Sequence, residues 1–307
     1  MGKAIRAQVR IILPDIGAFD PMPQTKHPSN APQLLSSVTV ARLPARQAHA
    51  HKGDFGHVLV VGGDLGTGGA VLLSAEAALR CGAGLVSVAT RPEHVSASLA
   101  RLPEVMCLGV RSANQLMGVL ERASVLVVGP GLGQAAWGCS LLSAVANAER
   151  PQVWDADALN LLARTPLALP SGSILTPHPG EAARLLGIAT EAVQADRPGA
   201  ARKLARRYNS VCVLKGAGTL VAAPSGQLAL CERGHPAMAG AGLGDVLTGV
   251  LAALLAQGLD AWGAACLGVW LHACAGERLG KKGRGLAASD LAPVIRELLE
   301  EHSACLA

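Results

Sequence analysis

Short apolar strands alternating with helical stretches predict an α/β fold, with a central, mainly parallel sheet flanked by helices on both faces. Three observations carry that expectation. Apolar runs of strand length, such as Val58 to Val61 and Val125 to Val128, end in glycines. Longer Ala- and Leu-rich stretches with helical spacing separate them. Of the 307 residues 50% are hydrophobic but only 2% aromatic, so Ala, Leu and Val must fill a large core.

Residues 1 to about 50 read as an arm or linker. Pro14, Pro21, Pro23, Pro28, Pro32 and Pro44 interrupt any regular element, leaving room for one short strand at Val9 to Leu13. The core then begins at Val58 to Val61. A helix is expected over Gly69 to Cys81 and a strand over Leu85 to Ala89. Val125 to Val128, Gln152 to Asp155, Ser173 to Thr176, Val211 to Leu214 and Leu220 to Ala223 follow as strands. Between them, helical patterns cover Leu116 to Arg122, Gln134 to Ala148, Ala158 to Ala163, Glu181 to Leu186 and Arg197 to Tyr208. The chain closes on three helices. The longest apolar region, Val246 to Ala275, is broken by Gln257, Gly258, Asp260 and His272. It reads as two buried helices rather than a membrane span.

Composition removes several classes. The net charge of +5 comes from scattered basic residues without interleaved aromatics, which argues against nucleic-acid binding. The eight cysteines form no CxxC pair and lie mostly in apolar runs, as free thiols of a reducing cytoplasmic compartment do. Met1 to Arg10 is basic but is followed only by Ile11-Ile12-Leu13, too short for a signal peptide.

In parallel sheets ligands bind beyond the carboxyl ends of the strands. Gly62-Gly63, Gly129 to Gly133, Asp155 with Asp157, Thr176 to Glu181 and Lys215 to Thr219 all follow expected strands, so one rim gathers them. The spacing after the first strand rules out a GxGxxG fingerprint, and there is no GxxxxGK[ST] loop. The most informative stretch is Gly240-Ala241-Gly242-Leu243-Gly244-Asp245, opening into Val246 to Leu255. If that segment is a helix, its first turn offers free N–H groups and a positive dipole end to an anion such as a phosphate. A carboxylate there suits base chemistry on a hydroxyl beside a transferring phosphoryl group. The plainer reading is an Asp that caps the helix.

Each remaining motif has two readings. Lys215, at a strand end before two glycines, could hold a nucleotide phosphate or be a solvated turn lysine. His178, between two prolines, could touch substrate or merely begin a helix. Glu181 could cap that helix or bind metal. Asp155 and Asp157 could flank Mg²⁺ through water or start a helix, with Asn160 joining either role. His272 reads as a satisfied core histidine. His49 and His51 show no partners.

The order of the motifs is more specific than any one of them. His51-Lys52-Gly53-Asp54-Phe55-Gly56, Gly62-Gly63, Gly129-Pro130-Gly131-Leu132-Gly133, Asp155-Ala156-Asp157-Ala158-Leu159-Asn160, Thr176 to Glu181, Lys215 to Thr219 and the Gly-Leu-Gly-Asp segment occur in one chain. From about His51 to Leu299 this resembles the ADP-dependent NAD(P)H-hydrate dehydratases, especially the carboxyl-terminal half of their bifunctional bacterial members. The resemblance implies a ribokinase-like domain over residues 51–307 behind the arm of residues 1–50. It implies dehydration of (S)-NADHX or NADPHX to NADH or NADPH, with ADP, or ATP in its place, as co-substrate and Mg²⁺ as cofactor. Asp245 would be the catalytic acid/base. Ala70, Gly131, His178 and Asp245 would contact the hydrate, and Lys215, Gly216, Ala217, Gly218, Thr219 and Gly244 the nucleotide. Asp155, Asp157 and Glu181 are the metal candidates.

Two positions depart from the family pattern. His235-Pro236-Ala237-Met238 replaces Asn-Pro or Asn-Ala before the methionine. Ala241-Gly242-Leu243-Gly244-Asp245 replaces Gly-Gly-Thr-Gly-Asp or Gly-Gly-Met-Gly-Asp. Ile12 to Gly17 looks like the tail that joins an epimerase to the dehydratase in fused relatives. The chain is therefore expected to be an excised half or to act with a separate epimerase. The resemblance also implies a homotetramer. The rivals are a ribokinase-like vitamin-precursor kinase and a non-catalytic nucleotide-binding relative.

Overall fold

A computed structural model describes residues 31–306. The expected strand at Val9 to Leu13 and the tail-like Ile12 to Gly17 lie outside the described residues. The strands are β1 (Gln33–Leu34), β2 (His57–Val61), β3 (Leu85–Thr90), β4 (Met106–Gly109), β5 (Val125–Val128), β6 (Gln152–Trp154), β7 (Ile174–Leu175), β8 (Val211–Leu214), β9 (Thr219–Ala222) and β10 (Leu228–Cys231). They form one 10-stranded sheet in the order β1-β10-β9-β8-β7-β6-β5-β2-β3-β4. Only β9 runs against its neighbours, pairing antiparallel with β8 and β10. β2 and β5 are buried along their whole length, which explains why they read as unbroken apolar runs instead of alternating ones.

Helices α1 (Gly68–Arg80) and α2 (Val95–Arg101) follow β2 and β3. Then come α3 (Met117–Leu120), α4 (Ala136–Ala146), α5 (Asp157–Arg164), α6 (Pro179–Leu186), α7 (Thr190–Ala195) and α8 (Arg197–Tyr208). The chain closes with α9 (Leu243–Ala256), α10 (Ala261–Gly280) and α11 (Leu291–His302). Alternate strand residues face opposite layers. Val58, Val60, Val125, Val127 and Val153 pack with α1, α9, α10 and α11. Leu59, Val61, Leu126, Val128 and Trp154 pack with the helices from α3 to α8. No helix of the described residues is long and apolar enough to cross a membrane.

Residues 31–50, expected to lie in the arm, contact the sheet. From residue 31 onward the chain belongs to the same compact unit as the sheet. β1 pairs parallel with β10, and Leu35 and Val40 are buried in the core. The Arg46 N–H donates to the Cys305 carbonyl at 2.7 Å. A strand of only two residues between prolines carries no readable periodicity, so the sequence hides this attachment. β4 and β10 also lie outside the expected strands.

Helix α9 sets the site. It is buried on every side, as its all-round apolar sequence requires. It approaches α1 closely because Gly249 has no side chain: a Cβ there would lie 2.0 Å from the Ser74 carbonyl oxygen. The Ser74 hydroxyl donates to the Asp245 carbonyl at 2.8 Å, which locks the first turn of α9 beside α1. Gly249→Ala must push the two helices apart. It should cost about 1–3 kcal/mol of stability, read as a lower urea midpoint with an unchanged m-value.

Candidate functional site

The chain runs from β2 through β3 to β4 at one edge and returns to β5 on the other side of β2. The crevice at the carboxyl ends of β2 and β5 is therefore the topological switch point. Gly62-Gly63 and Gly129 to Gly133 lie there, with their backbones interlocked. A Cβ on Gly62 would sit 2.1 Å from the Pro130 carbonyl oxygen. The Gly63 N–H donates to that oxygen at 3.0 Å. The Thr67 hydroxyl donates to the Gly131 carbonyl at 2.8 Å, and the Ala70 N–H donates to the Thr67 carbonyl at 3.2 Å. Ala70 and Gly131, 61 positions apart in sequence, thus share Thr67 as a neighbour at the mouth of α1.

The next rim segment turns sharply. Ala156 has φ +48°, a conformation costly for a residue with a Cβ, by about 1–3 kcal/mol. The turn sends its two flanking carboxylates apart. The Asp157 carboxylate accepts from the Gly133 N–H at 2.9 Å and from Gln134 Nε2 at 3.0 Å. Asp155 points under α9. It accepts from Lys215 Nζ at 2.7 Å, from the Thr176 hydroxyl at 2.8 Å and from the Thr248 hydroxyl at 3.1 Å. Burial alone would raise the Asp155 carboxyl, but the Lys215 ammonium and these hydrogen bonds outweigh it and hold the group below its ordinary range. Lys215 responds in kind. Burial would lower it, while Asp155 and Glu181 hold it above its ordinary value. It is a buried ion-pair partner, not a solvated turn lysine.

Asp245 stands in the first turn of α9, next to Gly244. Gly242, with φ +82°, caps α9, and its carbonyl accepts the Val246 N–H at 3.1 Å. The N–H groups of Leu243, Gly244 and Asp245 precede that first helical bond and are free for an anion. A Cβ on Gly244 would lie 3.1 Å from Lys215 Nζ, so the ammonium sits directly beneath this turn. Burial pushes the Asp245 carboxyl up to about 7; Asp155 adds to the rise and Lys215 opposes it. A carboxylate beside an anion cradle, poised near neutrality, has the properties of a general base.

On the other side of Gly244 opens a cavity of about 710 Å³, lined by the Lys215 to Thr219 loop, His178, His235, Met238, Leu247 and His272 among others. Its outer wall is seated on α10. A Cβ on Gly276 would meet Met238 Sδ at 2.0 Å, and one on Gly280 would meet the His235 ring at 2.4 Å. His235 Nδ1 accepts the Ala237 N–H at 3.1 Å. The ring of His272 donates from Nε2 to the Leu243 carbonyl at 2.9 Å, and burial pushes it down to about 4. It is a satisfied, neutral histidine, as its apolar surroundings suggested.

His178 begins α6 in a capping box. Its Nδ1 accepts the Gly180 and Glu181 N–H groups at 3.0 and 3.3 Å, and Glu181 Oε2 accepts the His178 N–H at 2.8 Å. With Nδ1 accepting, the neutral ring carries its proton on Nε2, which lies 3.4 Å from Glu181 Oε1. Burial, with Lys215 and Arg184, lowers the ring's pKa and keeps it neutral. Burial pushes Glu181 up to about 7. Asn160 Oδ1 accepts from Arg184 Nε at 2.8 Å and takes no part in the rim. His51, expected without a partner, shares a capping box with Asp54.

The three expected metal candidates are thus committed to protein partners: Asp155 to Lys215, Asp157 to Gly133 and Glu181 to His178. No cluster of three or more metal-type side chains occurs among the described residues. The donor set does not fit a Mg²⁺ ion held by protein carboxylates. Sequence reasoning missed Thr248, although a lone hydroxyl in an otherwise apolar helix was a usable signal. It also missed Arg197, whose contacts with the Lys215 loop depend on the tertiary fold.

With this geometry in view, the relatives are informative. Residues 58–297 match the NAD(P)H-hydrate dehydratase family, Carb_kinase. The chain belongs to the NAD(P)H-hydrate dehydratase family. A bifunctional NAD(P)H-hydrate repair enzyme of Coxiella burnetii is 51% identical over 259 residues, covering 84% of this chain and 53% of that protein. The chain thus spans about half the length of the curated relatives it matches first. An ADP/ATP-dependent NAD(P)H-hydrate dehydratase of Bacillus subtilis, co-crystallised with ATP and Mg²⁺, superposes with TM-score 0.80 at 29% identity, over 90% of this chain and 100% of its own. A ribokinase-like superfamily protein of Enterococcus faecalis reaches TM-score 0.82 at 27% identity, over 91% of this chain and 99% of its own. The fold is ribokinase-like, as expected, and the dehydratase family is a family of hydro-lyases.

The raised Asp245 carboxyl has a consequence for stability. Its contribution is complete below the ordinary value of 3.8 and is lost as the pH rises through about 7. Asp245→Asn removes that loss. The variant should therefore gain stability over the parent progressively between about pH 4 and pH 8, read by urea unfolding at each pH. A pH-independent difference would contradict a raised carboxyl.

Proposed function

We propose that this dehydratase uses ADP to return (S)-NADHX or NADPHX to NADH or NADPH, with release of AMP and phosphate. The observation that carries the reading is the position of Asp245. A half-buried carboxylate with its pKa raised to about 7 stands at the junction of the substrate crevice and the anion cradle of α9. Hydroxide is a poor leaving group, so the hydroxyl of the hydrate must be converted before water can be lost. Asp245 takes the hydroxyl proton as that oxygen attacks the terminal phosphoryl of ADP. A new P–O bond forms and the bond to AMP breaks. The phosphate ester then leaves with its bonding electron pair, the neighbouring ring carbon gives up a proton, and the nicotinamide double bond returns.

In this reading the free N–H groups at the start of α9 and the Lys215 ammonium stabilise charge on the transferring group. Ala70 and Gly131 line the hydrate side, and His178 offers its Nε2–H to the substrate. The Lys215 to Thr219 loop and Gly244 hold the ADP. Mg²⁺ would accompany the nucleotide and supply charge neutralisation at its phosphates, since the protein carboxylates are engaged elsewhere. The bifunctional relatives favour a functional partnership with an NAD(P)H-hydrate epimerase, and the expected homotetramer is open to light scattering. A cytoplasmic site of action accords with the free cysteines.

Incubation with NADH hydrate, ADP and Mg²⁺ should restore NADH absorbance with AMP released in equal amount. Asp245→Asn should keep ADP binding and folding but lose about 10³-fold or more in kcat. Turnover near that of the parent would remove Asp245 from the role of base. Because the base must be ionised, kcat should fall on the acid side of about pH 7. If ADP binds but neither ADP nor ATP restores NADH, the vitamin-precursor kinase or the non-catalytic binder takes precedence.

A further inference from the structure

Arg197 is the first residue of α8, and it reaches away from its own helix. Asp196 caps that helix by accepting the Gly199 N–H at 2.8 Å, so the start of α8 is fixed. The half-buried guanidinium donates to the Gly218 carbonyl at 3.0 Å, to the Leu214 carbonyl at 3.4 Å and to the Lys215 carbonyl at 3.5 Å. It lies flat beneath Gly216, where a Cβ would meet Nη1 at 2.7 Å. Gly216 has φ +140°, which only glycine adopts without strain. One rigid side chain therefore ties both ends of the loop between β8 and β9.

The tie has a direction. In a trans peptide the N–H points away from the carbonyl it shares the peptide with. Holding the Lys215 carbonyl down on Arg197 turns the Gly216 N–H toward the opposite side of the loop. The N–H groups of Gly216, Ala217 and Gly218 donate to no acceptor among the described residues. Consecutive free backbone N–H groups in such a turn form a cradle for an anion.

We infer that Arg197 is a positioning residue for the nucleotide: it holds the Lys215 to Thr219 loop in the shape that offers three N–H groups to the phosphates of ADP. The inference rests on the proposed nucleotide site. Arg197 contacts the loop from behind. Its fork of donors can span several carbonyls, which a lysine ammonium cannot do in a fixed geometry.

The test uses three variants of the full chain: Arg197→Ala, Arg197→Lys and Ala217→Asp. Ala217 is exposed, so the Asp variant keeps the fold while placing a negative charge in the cradle. ADP affinity is read by calorimetry, and KM for ADP, KM for NADH hydrate, kcat and Tm are measured alongside. Arg197→Ala should raise the Kd and KM for ADP about tenfold or more, with KM for the hydrate within about twofold. Its Tm should stay within about 3 °C of the parent. Arg197→Lys should recover little of the lost affinity, and Ala217→Asp should lose ADP binding.

If Ala217→Asp loses ADP while Arg197→Ala binds it normally, the role of Arg197 is overturned and the nucleotide site stands. The role is also overturned if Arg197→Lys restores full affinity, because charge alone would then suffice. A fall in Tm with both KM values rising together would show a merely structural residue. Normal ADP binding by Ala217→Asp would overturn the nucleotide site and the inference with it.

Discussion

The site is organised around one buried ion pair. Lys215 directly follows β8 and Asp155 directly follows β6, two strands separated in the sheet by β7. Their contact at 2.7 Å lies beneath the first turn of α9, with Asp155 buried and Lys215 largely so. Such a pair adds little net stability, because desolvation offsets the attraction, but losing one partner strands the other and costs about 3–5 kcal/mol. It is therefore a strong constraint on geometry. Thr176 and Thr248 complete the hydrogen bonding of Asp155, tying β7 and α9 to the same carboxylate. The positions of the lysine, the helix start and the loop after β8 are all referred to this one group.

The ion pair also sets the electrostatics of its neighbour. Asp155 stays ionised because Lys215 faces it, and that fixed negative charge adds to the burial that raises Asp245. Two carboxylates in one region thus take opposite roles. The paired one remains an anion at any ordinary pH, and the unpaired one is able to gain and lose a proton. The backbone contributes to the same separation. The strained turn at Ala156 aims Asp155 inward and Asp157 toward the Gly133 loop, so the two carboxylates face different partners.

The parts of this arrangement that the sequence revealed are those coded locally. The β2 and β5 runs are apolar throughout and end in glycines, so both the strands and the rim behind them were legible. The start of α9 was readable from Gly242 and the apolar run after Asp245. The choice between readings was not. Whether Lys215 is solvated depends on Asp155, which lies 60 positions away and reaches it only through the sheet. β4, at the edge, alternates exposed and partly buried residues over four positions, too few to separate from a loop. β1 is shorter still, and the attachment of residues 31–50 rests on a few buried side chains such as Leu35.

The same local physics governs each position of the Gly240 to Asp245 segment. Ala241 is exposed and is not among the residues with positive φ, so nothing there requires a glycine. Gly242 does require one. Its φ is +82°, and a Cβ would press on Leu73 at 2.5 Å. Gly244 is constrained less: a Cβ there would come within 3.1 Å of Lys215 Nζ and 3.5 Å of Asp155 Oδ2. Between these two, Leu243 is buried in the core, and its carbonyl is fixed by His272. Leu243 thus packs inward, while the N–H donors at the start of α9 belong to the backbone and do not depend on its side chain. In this segment Gly242 is required by its backbone conformation, Leu243 is set by the core, and the shape at Ala241 is free.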